Sequence, residues 1–154
     1  MRDCSIEIVV DGVKKNLVND YDFHLIESPA MITAKPGDYD IQKFPEYAAP
    51  EIDTRTTLQP FDYKISLGYW GNEEIANSLI RGFFDGLFIN EDGSDVLRAK
   101  EIELINNYKN VKMKGYAKPW NEDKYTIQGE NGLILFDFVL YVNDPKTLKD
   151  VKDI

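Results

Sequence analysis

Very few side chains in this sequence could carry out catalysis. His24 is the only histidine and Cys4 is the only cysteine, so a nucleophilic site of the Ser-His-Asp or Cys-His kind would have to use them. His24 stands among apolar residues without a glycine-rich nucleophile turn, and Cys4 lies near the amino terminus. We interpret His24 as an ordinary strand histidine and Cys4 as a small hydrophobic residue. We therefore predict no catalytic residues.

The sequence also offers little to a metal ion. A zinc site needs three or four His, Cys or carboxylate ligands, and one His and one Cys argue against it. The acidic stretch with Glu91, Asp92 and Asp95 invites a calcium interpretation, but no register supplies the oxygen ligands, the glycine and the distal glutamate of an EF-hand loop. We expect a solvated turn, with weak ion binding as the alternative, and predict no metal site.

Two glycines, Gly82 and Gly86, lie four residues apart in a segment that otherwise favours a helix. They are not a phosphate loop, because no Lys-Ser/Thr pair follows, so we predict no cofactor. Glycine inside a helix costs about 1 kcal/mol relative to alanine. Two of them therefore indicate either a flat strip for close packing in an assembly or a chance occurrence.

A basic and aromatic group surrounds one predicted strand. Four lysines cluster there with two aromatic residues, Tyr116 and Trp120; the lysines are Lys109, Lys112, Lys114 and Lys118. Such a patch could contact a nucleic acid or a glycan, but we favour a charged sheet face that opposes aggregation. Trp120 follows a proline and is expected to be exposed, whereas Trp70 ends a hydrophobic strand and is expected in the core or an interface.

Composition narrows the possible functions. The 154 residues fit one domain and carry a formal net charge of −9, which disfavours nucleic acid and anionic membranes as partners. One cysteine permits no intrachain disulfide and is consistent with a reducing compartment. We see neither a signal peptide nor an apolar run long enough to cross a membrane, and expect no membrane association.

One amphipathic helix is predicted at about residues 72–89. Ile75, Ala76, Leu79 and Ile80 begin an apolar stripe at helical spacing, which continues to Phe88, and Asn72 is placed to cap the amino-terminal end. The segments before the helix read as strands: residues 5–10 and 13–18 around an Asp11-Gly12 hairpin turn, then 21–26 and 61–70. A single apolar helix among strands must cover a sheet.

Residues 28–60 interrupt this pattern and hold five of the seven prolines. A structureless loop this long is uncommon in a compact domain. It is either a disordered flap or an ordered arm that packs on a neighbouring subunit. The scattered aromatic residues favour the arm, because a solvated loop has little use for them. We assign an assembly interface to Ile41, Phe44, Tyr47 and Ile52, together with Gly82 and Gly86.

The second half predicts further strands, at 111–116, 125–128 and 133–142. The segment 96–106 is compatible with helix or strand, with strand favoured near its end, and residues 130–132 are expected to form a turn. The sum is a mainly antiparallel α+β fold: a β-sandwich or partly open barrel of seven or eight strands carrying one helix. We expect one domain over 1–145, followed by a polar tail at 146–154.

The order of these elements resembles that of phage tail proteins of the distal-tail and tail-tube type, especially the amino-terminal domain of distal tail proteins. The resemblance rests on the hairpin, the proline-containing excursion, the strand Phe61-Asp-Tyr-Lys-Ile-Ser-Leu-Gly-Tyr-Trp70 that runs into the helix, and the hydrophobic strand that stops at Asn143-Asp144-Pro145. No short diagnostic motif accompanies it.

This resemblance implies a non-enzymatic structural subunit of a phage or prophage tail. It implies a self-assembled ring, commonly a hexamer, joined by arms and sheet edges and stacked on other tail or baseplate proteins. The location implied is the virion tail, and the host cytoplasm during assembly. The alternative is a carbohydrate-binding β-sandwich that uses Tyr116 and Trp120.

Overall fold

The structure is a computed structural model and describes residues 4–29, 35–37, 40–42, 51–53, 55–90, 93, 95–118 and 131–152. The strands are β1 (Ile6–Val10), β2 (Val13–Asn16), β3 (His24–Glu27), β4 (Asp40–Gln42), β5 (Glu51–Asp53), β6 (Phe61–Asn72), β7 (Phe88–Ile89), β8 (Arg98–Ala99), β9 (Ile102–Asn106), β10 (Val111–Ala117), β11 (Asn131–Val142) and β12 (Lys149–Asp150). The helices are α1 (Leu17–Tyr21) and α2 (Glu73–Asp85).

Eight of these strands form one antiparallel sheet. Its order is β2-β1-β9-β10-β11-β6-β3, and β12 pairs with β10 beside this path. The longest ladder joins β6 to β11 along the full length of both strands. The predicted α+β class, mainly antiparallel with one helix on the sheet, is confirmed, and β11 is an interior strand as its hydrophobic sequence suggests.

The sheet folds back on itself at β10. Residues 111–115 of this strand pair with β9, and only Tyr116 and Ala117 pair with β11. Gly115 stands at the change of partner, where a Cβ would collide with the carbonyl oxygen of Tyr141. Asn106 on β9 hydrogen-bonds to Tyr63 on β6, although two strands separate them in the sheet. The two halves therefore face each other across a core, as in a sandwich or partly open barrel.

The helix α2 covers β6 and β11. Asn72 caps it by accepting hydrogen bonds from the backbone N–H groups of Glu74 and Ile75, at 2.8 and 3.4 Å. Ala76, Ile80 and Phe83 are buried. Their partners on the sheet are alternate residues of the two long strands: Tyr63, Ile65 and Leu67 on β6, and Ile134, Phe136, Phe138 and Leu140 on β11.

The helix differs from its prediction in two respects. It ends at Asp85 rather than near residue 89, because Gly86 and Leu87 form a turn and Phe88 pairs with Ala99 in a two-stranded sheet. Ile75, which the apolar stripe included, is 55% exposed. The stripe as a whole is nevertheless the face that packs on the sheet.

The amino-terminal hairpin is confirmed, with Asp11 and Gly12 both at positive φ as its tight turn requires. The predicted return strand to residue 18 is wrong, because Asn16 caps a five-residue helix, α1, through its side-chain oxygen. The third strand accordingly begins at His24 rather than Tyr21. The sequence therefore holds a second helix that the periodicity did not indicate.

Four expectations for the second half have different outcomes. The segment 96–106 is extended, as its later part suggested, and contains β8 and β9. The turn expected at 130–132 is wrong, since β11 already begins at Asn131. The polar residues after 145 form a short 3-10 turn, Pro145–Thr147, and the strand β12. The strand predicted at 125–128 lies outside the described residues.

Within the predicted arm, β4 and β5 pair with each other in a sheet of their own. Pro36 and Leu58 form an isolated antiparallel bridge, and the Gln59 N–H donates to the Lys35 carbonyl at 2.8 Å. The registers of the bridge and of the β4–β5 pair differ by one residue. We name the described residues of these two stretches, 35–37 and 40–42 with 51–53 and 55–59, the ribbon.

Candidate functional site

His24 and Cys4, the two residues that could serve nucleophilic chemistry, are both exposed. His24 opens β3, and its Nε2 lies 2.7 Å from Asp22 Oδ1 in an exposed pair. Cys4 lines a pocket with Leu25 and Tyr108, and His24 is not among the lining residues. His24 and Cys4 therefore do not form a nucleophile–base pair.

The acidic stretch behaves as a turn where it is described. The side-chain oxygen of Asn90 accepts a hydrogen bond from the Gly93 N–H at 2.8 Å, and Gly93 has a φ of 72°. Asp95 is exposed, whereas Glu91 and Asp92 lie outside the described residues. Within the described part of the chain, no group of three or more His, Cys, Asp or Glu is placed to hold a metal ion.

Tyr116 is half-buried at the end of β10, opposite Tyr141 on β11. Lys118 extends over the ring of Tyr141, with its Nζ 5.5 Å from the ring centroid and 2.9 Å from Asp62 Oδ2. This cation covers one face of an aromatic ring that a sugar would otherwise stack on. Trp120 lies outside the described residues, so only half of the proposed sugar-binding pair is placed.

The positive charge of the predicted basic face is partly offset by a neighbouring carboxylate. Lys112 stands opposite Lys149 in the β10–β12 ladder, whereas Lys114 stands opposite Glu103 on β9. Lys109 extends over the ring of its neighbour Tyr108. The lysines occupy one strand and its connections, as expected of a charged sheet face.

Gly82 in α2 and Gly86, which directly follows the helix, are both exposed, but their surroundings differ. Among the described residues, no heavy atom lies within 4 Å of the position that a Cβ of Gly82 would take, apart from its own helix backbone and neighbours. Gly86 lines a groove between α2, α1 and the β1–β2 hairpin. Neither glycine makes a close packing contact with the described residues.

The arm residues divide between the described and undescribed parts of the chain. Ile41 and Ile52 are directly paired in the β4–β5 ladder. Phe44 and Tyr47 lie outside the described residues. The register therefore brings together two of the four arm residues that were assigned to the interface.

Trp70 was expected in the core or an interface, and the structure places it outside the core, on an exposed apolar surface. Trp70 is 66% exposed and is paired with Leu133 on β11. Ile26 is 50% exposed, and Ile26 and Leu133 close over Gly68, where a Cβ would lie 2.9 and 3.2 Å from their methyl carbons. We name Ile26, Gly68, Trp70 and Leu133 the Trp70 patch. The alternation along β6 predicts this exposure, because Trp70 lies on the same face of the strand as the exposed residues Asp62 and Lys64.

The two outer strands of the main sheet carry features that oppose open-ended pairing. β2 is four residues long and places Lys14 and Lys15 on the surface. β3 has a register irregularity between Leu25 and Glu27. Short edges, lysines and bulges are standard means of preventing edge-to-edge association.

No described helix is long and apolar enough to cross a membrane. No protein-family model matches the sequence, and no curated protein matches it. Among solved structures, the chain is similar to the crystal structure of the Dit protein of phage SPP1, which is described as a paradigm of the hub adsorption apparatus in phages that infect Gram-positive bacteria.

This similarity has a TM-score of 0.57 at 14% sequence identity, and it covers 91% of this chain and 50% of the SPP1 protein. The chain thus spans about half the length of that protein. An identity this low shows a shared fold.

Proposed function

We propose that this protein is a structural, non-enzymatic subunit of a phage or prophage tail, of the distal-tail type, and that its copies join into a ring. The observation that supports this most is the fold similarity to the SPP1 tail hub protein over 91% of the chain. The other partners proposed are neighbouring tail or baseplate proteins. The proposed location is the virion tail, with assembly in the host cytoplasm.

The ribbon is the element best suited to join copies. Its strands β4 and β5 pair only with each other in the described structure, and an isolated two-stranded ribbon is at best marginally stable in water. Contact with a neighbouring subunit would supply the missing packing. The ribbon also stands within the predicted arm, which contains the proposed interface residues Ile41 and Ile52.

The Trp70 patch supports a role in assembly. Exposed apolar patches often mark sites of interaction with another molecule. Tryptophan is enriched among the residues that dominate the binding energy of interfaces. The sheet edges are the weaker route, because β2 and β3 carry the lysines and the register irregularity described above. We therefore assign the main ring contact to the ribbon.

Arm deletion tests this proposal. Because Lys35 and Gln59 are already hydrogen-bonded across the ribbon, residues 36–58 can be replaced by Asn-Gly, which closes a two-residue hairpin. We expect size-exclusion chromatography with light scattering to give a ring-sized oligomer for the intact chain and a folded monomer for the shortened one. Urea unfolding of the shortened chain controls for loss of the core.

A monomeric intact chain at every concentration would count against the proposal. So would a shortened chain that assembles like the intact one. The flanking genes provide an independent observation: tape-measure, baseplate or portal genes beside this one would support a tail role.

Carbohydrate binding is the second candidate function, favoured only by the pairing of Tyr116 with Tyr141. It predicts saturable binding on a glycan array that Trp120→Ala abolishes. A blank array for the intact chain would remove this alternative without touching the ring proposal.

A further inference from the structure

The Trp70 patch lies on the face of the sheet that points away from α2. Tyr63, Ile65 and Leu67 of β6 point towards the helix and the core, and Trp70 has the opposite parity in the same strand. Its side chain is 66% exposed, whereas tryptophan is highly buried on average. The patch therefore presents a large apolar side chain to another molecule.

The groove beside the carboxyl-terminal end of α2 has a volume of about 360 Å³. Its lining among the described residues is mainly apolar and includes Ile8, Val10, Leu17, Tyr21, Phe83 and Leu87. Four of these six side chains are at most 4% exposed and form the base. A cavity of about 150 Å³ lined by Leu, Ile and Phe holds a benzene molecule. The groove therefore has room for the larger indole ring of a tryptophan.

The patch and the groove stand at opposite ends of α2. Trp70 shortly precedes Glu73, the first residue of the helix, whereas Gly86 lines the groove and directly follows the last. The 13 residues of α2 separate these ends by about 20 Å, so Trp70 does not reach the groove of its own chain. Two different surfaces that fit each other make a head-to-tail contact between copies, which closes into a ring when successive copies are suitably rotated.

The charges beside the patch are carboxylates. Glu27 is exposed and directly follows Ile26 of the patch, and Glu73 and Glu74 begin α2 just after Trp70. A surface that receives the patch is therefore expected to carry a cation at its margin.

The rim of the groove carries such a cation. Lys15 Nζ lies 3.3 Å from the Tyr21 hydroxyl, and within the described residues no carboxylate is within ion-pair distance of it. The other rim lysine, Lys100, is balanced by Asp11, whose Oδ2 lies 2.8 Å from its Nζ. The Asp11 side chain is 65% exposed and can also accept a hydrogen bond from an indole N–H, which needs a partner when a tryptophan is buried. The rim therefore complements both the indole and the carboxylates beside it.

We infer that Trp70 of one copy inserts into the groove of a second copy, and that Lys15 at the rim faces the carboxylates beside the patch. This inference rests on the proposed ring function and adds to the ribbon a second contact between neighbouring copies. It also gives a reason for glycine at position 86. The φ of Gly86 is −68°, which any residue adopts, but a side chain there would occupy the groove.

Removing the tryptophan is the first test. We expect Trp70→Ala to weaken self-association at least roughly tenfold, as for a central interface residue. Tyr141→Ala is the matched control, because Tyr141 is a 37% exposed aromatic residue at the far end of the same β6–β11 ladder. We expect it to assemble like the wild type. Sedimentation velocity over a concentration series measures both, and urea unfolding confirms that both fold.

Blocking the groove is the second test. A Cβ at Gly86 makes only ordinary contacts, 3.5 and 3.6 Å from the carbonyl oxygens of Phe83 and Gly82, so Gly86→Leu fills the groove without a backbone collision. We expect the same loss of association as for Trp70→Ala. Gly82→Leu adds the same side chain to an unobstructed position four residues earlier and should assemble like the wild type.

Mixing the two damaged variants tests the head-to-tail geometry. The Trp70→Ala chain keeps its groove and the Gly86→Leu chain keeps its tryptophan, so one intact contact can form between them. At a concentration at which each variant alone is monomeric, we expect the mixture to give a one-to-one dimer that grows no further. A mixture that stays monomeric, or that forms larger particles, would overturn the inference.

These outcomes separate the two proposals. If Trp70→Ala and Gly86→Leu assemble like the wild type while the arm-deleted chain is monomeric, only the inference about Trp70 and the groove fails. The same holds if either control variant is as damaging as its partner. If the intact chain is monomeric at every concentration, both proposals fail.

Discussion

The most deeply buried polar contact in the described structure joins Asn106 to Tyr63. Both residues are at most 1% exposed, and Asn106 Nδ2 donates to the Tyr63 hydroxyl oxygen at 2.8 Å. The Asn106 oxygen also accepts from the Lys109 N–H at 3.1 Å. Because Tyr63 and Asn106 stand on opposite halves of the folded sheet, this bond helps to fix how the halves pack.

Tyr63→Phe should lower the free energy of unfolding by about 1–2 kcal/mol, because it leaves a buried amide N–H without an acceptor. Urea unfolding measures the change. Tyr141→Phe is the matched control, since Tyr141 is 37% exposed and its hydroxyl has access to water. Equal stability of the two variants would show that the buried bond contributes nothing.

The same residue predicts a pH effect. Burial raises the pKa of the Tyr63 hydroxyl above its usual value of 10.0, while hydrogen bonds with Asn106 and Ser28 oppose the rise. The contribution of the protonated Tyr63 hydroxyl to the unfolding free energy is complete below pH 10, and it is lost as the pH rises through the raised pKa of the folded state. We therefore expect the unfolding free energy of the wild type to fall more steeply above pH 10 than that of Tyr63→Phe. Parallel pH profiles would contradict this assignment.

Gly115 tests the bend in β10. Alanine here would drive its Cβ into the Tyr141 carbonyl oxygen, a backbone atom that cannot move aside without breaking the β10–β11 pairing. We expect Gly115→Ala to cost more than about 3 kcal/mol or to prevent folding. Gly82→Ala is the control and should stabilise the protein by up to about 1 kcal/mol, because it replaces an unobstructed glycine in a helix. A neutral Gly115→Ala would mean that the strands are farther apart than described.

At the scale of elements, α2 packs its buried face on the core of the sheet, and Phe83 is the side chain of α2 that contacts the most aromatic rings among the described residues. Phe83 is 4% exposed and its ring centroid lies 5.2–5.8 Å from those of Tyr21, Phe23, Phe84 and Phe138. Aromatic rings at these separations add to the energy of simple burial. The cluster therefore joins α2 to α1, β11 and the residue before β3.

Phe83→Ala should lower the unfolding free energy by about 3–5 kcal/mol, because it removes a buried aromatic ring and leaves a cavity. Ile75→Ala, on the same helix, should change it by at most about 0.5 kcal/mol, because Ile75 is mostly exposed. Thermal or urea unfolding compares them. A costly Ile75→Ala in the monomer would show that the buried face of α2 is rotated from the one described.

The sequence predicted those elements that are determined by a few neighbouring residues, such as a turn or a helix cap. Asp11-Gly12 predicts the first hairpin, and Asn72 with the apolar stripe predicts α2, because capping and periodicity act within one or two turns. The helix α1 was missed because five residues are too few for periodicity to show, although Asn16 could have suggested its cap. The end of α2 was overestimated because Phe88 continues the stripe yet pairs with Ala99, a contact that only the tertiary fold creates.

The candidate site was less accessible from the sequence. The predicted interface residues Ile41 and Ile52 are paired, and Gly86 borders the groove, but the groove itself combines residues from β1, β2, α1 and α2. No single segment of the sequence contains that combination. The exposure of Trp70 was predictable from strand parity, but the apolar character of its strand outweighed that signal in our prediction.

At the scale of the whole molecule, the described structure combines protected sheet edges with two features that we propose as contacts between copies. These are the ribbon and the Trp70 patch. A rigid fold with protected edges avoids open-ended association, while complementary surfaces on one chain permit a closed, head-to-tail ring. The net charge of −9 adds weak repulsion between copies, so ring closure is expected to depend on protein concentration.

Electron microscopy of the concentrated intact chain tests the ring most directly. The account predicts closed particles of uniform diameter with a central opening, and their loss in the chain whose residues 36–58 are replaced by Asn-Gly. Single copies at every concentration, or open filaments of variable length, would contradict it.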